Sequence, residues 1–317
     1  YPENKEQAVA ALYAYIYAVD KYEGLICIGA GTLLDGNPLN NSLKRDVTYN
    51  PDGVLCGARA ITIVGEYAYI SADAGLVVVH LKDPTKPEVT AVLSHEQRIV
   101  HPHAVACQFR YAYVCDKEGI KILDITDLAH PRPVSMLPLE EAHNIYLART
   151  YAYVAAGKKG LVILDIENAE RPRVDQVFNA GGCINDAHDI KLGITYVSEF
   201  AYVADGKNGL RVVQLTSPET PGNYGFSPRP TPQLIATYPA PEGSHFLSLS
   251  KGIDRDRAVD ESGNQIAVFG RVGARPFNLE EQHKMYLRNG KVWSVSDDPQ
   301  DAQLYRRIST PPVLQER

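Results

Sequence analysis

The sequence predicts an all-β fold, a seven-bladed β-propeller, with six blades plus an extra hairpin as the alternative. Three observations carry this reading. A Tyr-Ala-Tyr-Val-like segment recurs at intervals of roughly 40 residues, a period that marks propellers and solenoids. Each copy leads through a turn rich in Asp, Gly and Lys into a second segment that opens with Gly and alternates in the period-2 manner of a strand. That second segment leaves through proline, which has no backbone N–H to give and therefore suits the outermost strand of a blade.

In chain order, the first copy is YAYIYAVDKYEGLICI, from Tyr13. Copies then begin at Tyr67, Tyr111, Tyr151 and Phe200, with second segments GLVVVHL from Gly75, GIKILDI from Gly119, GLVILDI from Gly160 and GLRVVQL from Gly209. Proline exits follow in DPTKPEV from Asp83, LAHPRPV from Leu128 and NAERPRV from Asn168. Two further units are degenerate. Ser244 to Asn278 keeps HFLSLS and IAVFGRV, and the part from His283 keeps HKMYLRNGKVWSVSD with an Asn289-Gly290 hairpin turn. Repeat starts near residues 5, 59, 103, 143, 188, 245 and 283 give a single propeller domain over 1–317 with four strands per blade. Either the tail segments AQLYRRI and PPVL complete the last blade or the N-terminus closes the ring. Short antiparallel hairpins with proline exits favour radial closure over a solenoid, because closure protects the sheet edges.

Composition narrows the function. With 44% hydrophobic and 22% charged residues the chain is ordinary for a soluble globular protein, and no apolar run approaches the roughly 18 residues of a membrane helix. A formal charge of -6 without a long Lys/Arg run gives no basic face for nucleic acid. A start at Tyr1 rather than Met suits a processed chain. The cysteines, Cys27, Cys56, Cys107, Cys115 and Cys183, form neither CxxC nor CxxCH, so no covalent cofactor of the c-type haem kind is expected. Cys107 and Cys115 fall on adjacent strands of one blade, which leaves a disulfide open. Asp254, Asp256 and Asp260 have the look of a calcium loop, yet Ala258 stands where a ligand is needed and the glycine is displaced to Gly263; this reads as a surface loop. There is no nucleophile elbow, Walker loop or dinucleotide fingerprint, so no catalytic residue is marked. The tyrosines, two per repeat, are core residues first.

Counting eight residues back from the first residue of the Tyr-Ala-Tyr motifs gives Lys5, Arg59, His103 and His143. His188, His245 and His283 start the equivalent strand in the remaining units. Inner strands surround the axis of a propeller, so these residues would line one rim of its channel. One reading is a copper or zinc site built from imidazoles. The other is a strand cap in which each histidine hydrogen-bonds a neighbouring blade, with Arg59 repelling any cation. His101 and His103 either chelate from alternate positions of one strand or belong to a loop set by Pro102. Insertions at 29–53, 216–232 and 270–285 break the repeat, and the second offers Tyr224, Phe226 and Arg229 as an exposed partner-binding loop.

The pieces GLVILDIENAERP, YAYVAAGKKG and AHDIKL resemble the LVIVD repeat, and the resemblance covers most of residues 5 to 300. It implies a secreted or periplasmic, non-catalytic propeller acting as a docking or structural subunit. The implied protein partner is a multihaem c-type cytochrome or another redox protein. A copper- or zinc-dependent oxidoreductase using the histidine rim is the alternative.

Overall fold

The computed structural model describes residues 14–31, 43–194, 198–223 and 225–250, together with six two-residue strands between 258 and 292. The chain divides into two compact units, Tyr1–Ser250 and Lys251–Arg317.

The first unit holds five antiparallel sheets. Sheet one contains β1 (Tyr15–Asp20), β2 (Gly24–Gly29) and β3 (Lys44–Tyr49). Sheet two contains β4 (Ala60–Val64), β5 (Tyr67–Ala72), β6 (Gly75–His80) and β7 (Glu88–Leu93). Sheet three contains β8 (Ala104–Gln108), β9 (Tyr111–Asp116), β10 (Gly119–Asp124) and β11 (Arg132–Pro138). Sheet four contains β12 (Asn144–Ala148), β13 (Tyr151–Ala155), β14 (Leu161–Asp165) and β15 (Arg173–Phe178). Sheet five contains β16 (Asp189–Ile194), β17 (Glu199–Ala204), β18 (Leu210–Thr216) and β19 (Gln233–Tyr238). Sheets two to five are meanders in the predicted order of inner strand, Tyr-Ala-Tyr strand, Gly-Leu strand and proline-led outer strand. The three strands of sheet one match the last three of that order.

Burial on both faces explains the sequence. On β9, Ala112 and Val114 pack with Tyr69, Leu76 and Val78 of sheet two. The alternate residues Tyr113 and Cys115 pack with Ile145, Val154 and Val162 of sheet four. A strand covered on both sides reads as a continuous apolar run. The same alternation rules out the disulfide: Cys107 packs with the Ala112 and Val114 face while Cys115 lies on the opposite one, and all five cysteines are free.

A bulge recurs where the third strand meets the fourth. One outer-strand residue is skipped in each sheet, namely Asp46, Thr90, Val134, Asp175 and Ile235. In sheets three to five the proline-rich loop then lies on the sheet before it. Tyr69 donates its hydroxyl to the Leu128 carbonyl (2.7 Å) and Thr90 to that of Ala129 (3.3 Å). Tyr111 reaches Glu170 (3.0 Å), and Gln176 donates to the Pro230 carbonyl (2.8 Å). Gly119, at φ +144, opens β10 where an added Cβ would stand 2.6 Å from the Leu139 nitrogen, so the motif requires glycine there.

Two sheets carry a buried ion pair at equivalent positions. Asp116, 1% exposed, accepts from the Val100, Glu118 and Gly119 backbone and faces Lys121, itself 3% exposed. In sheet five Arg211 donates to buried Asp205 at 3.0 Å. Sheets two and four hold Ala72 with Val77 and Ala156 with Val162 instead, all fully buried. In sheets two to five acid and base are thus present or absent together, as expected where a lone buried charge is costly.

In the second unit, Ala258–Val259 pairs with Gln265–Ile266, Arg271–Val272 with Arg275–Pro276, and Leu287–Arg288 with Lys291–Val292. The last pair flanks the predicted Asn289-Gly290 turn.

Replacing Lys121 with Met strands Asp116 and should destabilise the protein by about 3–5 kcal/mol in denaturant melts. The double change Asp116→Ala with Lys121→Val copies sheet two and should recover most of that loss.

Candidate functional site

The positions counted from the sequence are fixed by one backbone hydrogen bond repeated in four sheets. Arg59 donates its N–H to the Ser71 carbonyl (3.0 Å), His103 to Cys115 (2.7 Å), His143 to Ala155 (2.9 Å) and His188 to Ala204 (2.8 Å). Each residue therefore sits just before its inner strand, at one level. The His103 and His143 ring centres are 6.1 Å apart, and those of His143 and His188 are 5.2 Å apart with the planes 26° from parallel.

Arg59 extends the row and is held by the protein itself. Its guanidinium pairs with Asp73 and donates to the Gly57 carbonyl (2.9 Å) and weakly to that of Pro102 (3.5 Å). His188 Nε2 meets Asp186 Oδ1 at 3.1 Å. Asp186 is itself fixed: its N–H donates to Asp205 Oδ1 (2.7 Å), and its Oδ2 accepts from the Lys207 N–H (3.3 Å). Among the described residues neither the His103 nor the His143 ring makes a side-chain hydrogen bond. Inner strands are joined below them by buried Asp189, which accepts from Asn144 Nδ2 (2.5 Å), the Ile190 N–H (2.7 Å) and the Leu249 N–H (2.7 Å).

The other predicted residues fall elsewhere. His101 is exposed at φ +51 in the loop before β8. His245 precedes the Gly206–Phe246 bridge, which repeats the Gly157–Ala187 bridge, so Leu247 takes the position equivalent to His188. Lys5, His283 and Tyr224 lie outside the described residues. Arg229 pairs with Asp175 at 3.1 Å, while Phe226 beside it is 79% exposed. The sequence reading missed Asp186 and Phe109. Asp186 stands two residues before His188, and Phe109 occupies the hairpin place held by Gly65 one sheet earlier.

Burial depresses the basicity of His103, helped by His143 and Arg59, and that of His143, helped by His188. Both rings thus release their protons more readily than a free histidine and are neutral donors near pH 7.

The five face-to-face sheets define a repeat-based β-propeller fold. The LVIVD repeat family model matches residues 57–91, 104–135, 141–174 and 187–224, each stretch spanning the first three strands of one sheet. Comparison with curated proteins finds no match. Among solved structures, a functionally unknown protein from Desulfotomaculum acetoxidans is similar at TM-score 0.50 and 14% identity, over 78% of this chain and 70% of that one. Kuenenia stuttgartiensis hydrazine synthase aligns at TM-score 0.39 and 15% identity, over 56% of this chain and 49% of the other. A candidate 6-phosphogluconolactonase from Bacteroides fragilis aligns at TM-score 0.49 and 12% identity, over 79% and 72%. Likeness at these identities bears on the fold alone. Among the described residues no helix is long and apolar enough to cross a membrane.

Because the folded His103 and His143 bind protons less readily than the unfolded chain, the unfolded state takes up more protons as pH falls below about 6.5, and stability present above that pH is lost. Melting temperatures recorded from about pH 8 down to about pH 5 should therefore decline. The double variant His103→Gln, His143→Gln should decline less steeply.

Proposed function

We propose that this chain is a non-catalytic propeller subunit that docks a protein partner through the face bearing the β8–β9 hairpin turn. Phe109 carries the proposal. The first central residue of the inner hairpin has positive φ in three successive sheets: Gly65 at +57°, Phe109 at +53° and Arg149 at +55°. Glycine suits that conformation, and a bulky side chain there costs on the order of 1–3 kcal/mol. Arg149 has a use within the fold, since it pairs with Glu199 and donates to the Phe226 carbonyl at 3.5 Å. Phe109 has none, being 89% exposed. An aromatic ring held on a rigid turn suits an interface anchor, and exposed Phe226 beside the neighbouring turn supplies a second.

The finer reading is a seven-bladed, exported subunit whose partner is a multihaem c-type cytochrome. Its support is the resemblance of the repeats to LVIVD propellers.

Phe109→Gly should raise unfolding stability by about 1 kcal/mol through relief of backbone strain. Combined with Phe226→Ala, it should cut recovery of the native partner at least tenfold in affinity purification from source cells, with haem absorbance and mass spectrometry as readouts. Unchanged recovery alongside the gain in stability contradicts the docking role, and an abundant partner without haem contradicts the cytochrome assignment alone.

A further inference from the structure

We infer that the row His103, His143 and His188, oriented by Asp186, binds a divalent transition-metal ion of the zinc or copper class. This is independent of the docking face, which lies at the opposite ends of the inner strands.

Placement comes first. The three rings are set at one level by backbone bonds of 2.7, 2.9 and 2.8 Å, so their approach is built into the sheets rather than into mobile loops. Spacing comes next. A zinc–imidazole bond of about 2.0–2.1 Å puts each ring centre about 3.2 Å from the ion, and a tetrahedral angle then separates two centres by about 5.2 Å. The His143 and His188 centres stand 5.2 Å apart with the rings stacked at 26°, so the distance fits and the rings turn about their side-chain bonds to aim both nitrogens at one ion. Among the described residues no three donors surround one point, so His103, at 6.1 Å from His143, becomes the third donor only by side-chain rotation. Water completes the shell.

The surrounding groups fit the same role. With His188 Nε2–H donating to Asp186, its Nδ1 keeps a lone pair, the carboxylate–histidine–metal arrangement that fixes the tautomer of a ligand. The ring nitrogens of His103 and His143 are not used for side-chain hydrogen bonds among the described residues and so are open to a ligand. Arg59, the one neighbouring cation in the row, is turned to Asp73 and to two carbonyls. A donor set of imidazoles selects borderline ions over magnesium or calcium, which take oxygen ligands.

The test is calorimetric titration of the chelator-treated full chain with zinc chloride and copper chloride, with magnesium chloride as the comparison. The expected result is one zinc or copper ion per chain at about micromolar affinity or tighter and no magnesium binding. His143→Gln should weaken binding at least tenfold, and Asp186→Asn about ten- to a hundredfold. His101→Gln and Cys183→Ser should leave it unchanged. If His143→Gln does not fold, zinc added to the wild type should shift the imidazole nitrogen resonances of His143 and His188 but not those of His101. Absence of saturable zinc or copper binding, or unmoved His143 and His188 resonances on zinc addition, overturns the assignment. So does a folded His143→Gln that binds as the wild type does.

Discussion

Burial of the middle sheets, two to four, on both faces is the constraint on which the rest of the first unit depends. A strand such as β9 must present apolar groups in alternate directions to two neighbours, so Ala112 and Val114 serve one interface and Tyr113 and Cys115 the other. Polar atoms caught between sheets then need partners, supplied by the adjacent repeat or by the same one. The Tyr69 hydroxyl finds the Leu128 carbonyl, and Asp116 is answered by Lys121. Where the charge is absent, its counterpart is absent too, as Ala72 with Val77 shows. Among the described residues of the first unit, each hydrophobic cluster is shared by two neighbouring sheets.

The same constraint makes part of the fold legible in the sequence. Continuous runs such as YAYV and GLVIL, repeated with proline exits, identify the second and third strands because strands covered on both faces are lined mainly by apolar residues. The histidine level was legible for His103 and His143 because each lies twelve residues before its carbonyl partner, Cys115 and Ala155. In sheet five the interval grows to sixteen, from His188 to Ala204, yet the backbone bond is kept. His245 was misleading because the bridge at Phe246, rather than the presence of a histidine, sets the register.

What was illegible depends on contacts between repeats. The loop at 216–232 reads as exposed from its proline and glycine content, but Arg229 is taken by Asp175 and Thr150 meets Ser227 at 2.6 Å, so the loop lies on sheet four. The cysteines look close when only strand adjacency is considered, and the two faces of β9 separate them. Phe109 needs comparison with its sibling turns at Gly65 and Arg149 before its backbone is seen to be costly. The two ends of the inner strands thus differ in kind: one carries half-buried imidazoles with open nitrogens, the other an aromatic side chain held out on a strained turn.

Amide hydrogen exchange tests most directly whether shared interfaces hold the first unit together. Shared burial predicts that the amides of β5, β6, β9, β10, β13 and β14 exchange most slowly and with one common opening energy. It also predicts that Tyr113→Ala, which cuts the interface of sheets three and four, speeds exchange in both. Independent opening energies for the sheets, or an effect of Tyr113→Ala confined to sheet three, would contradict it.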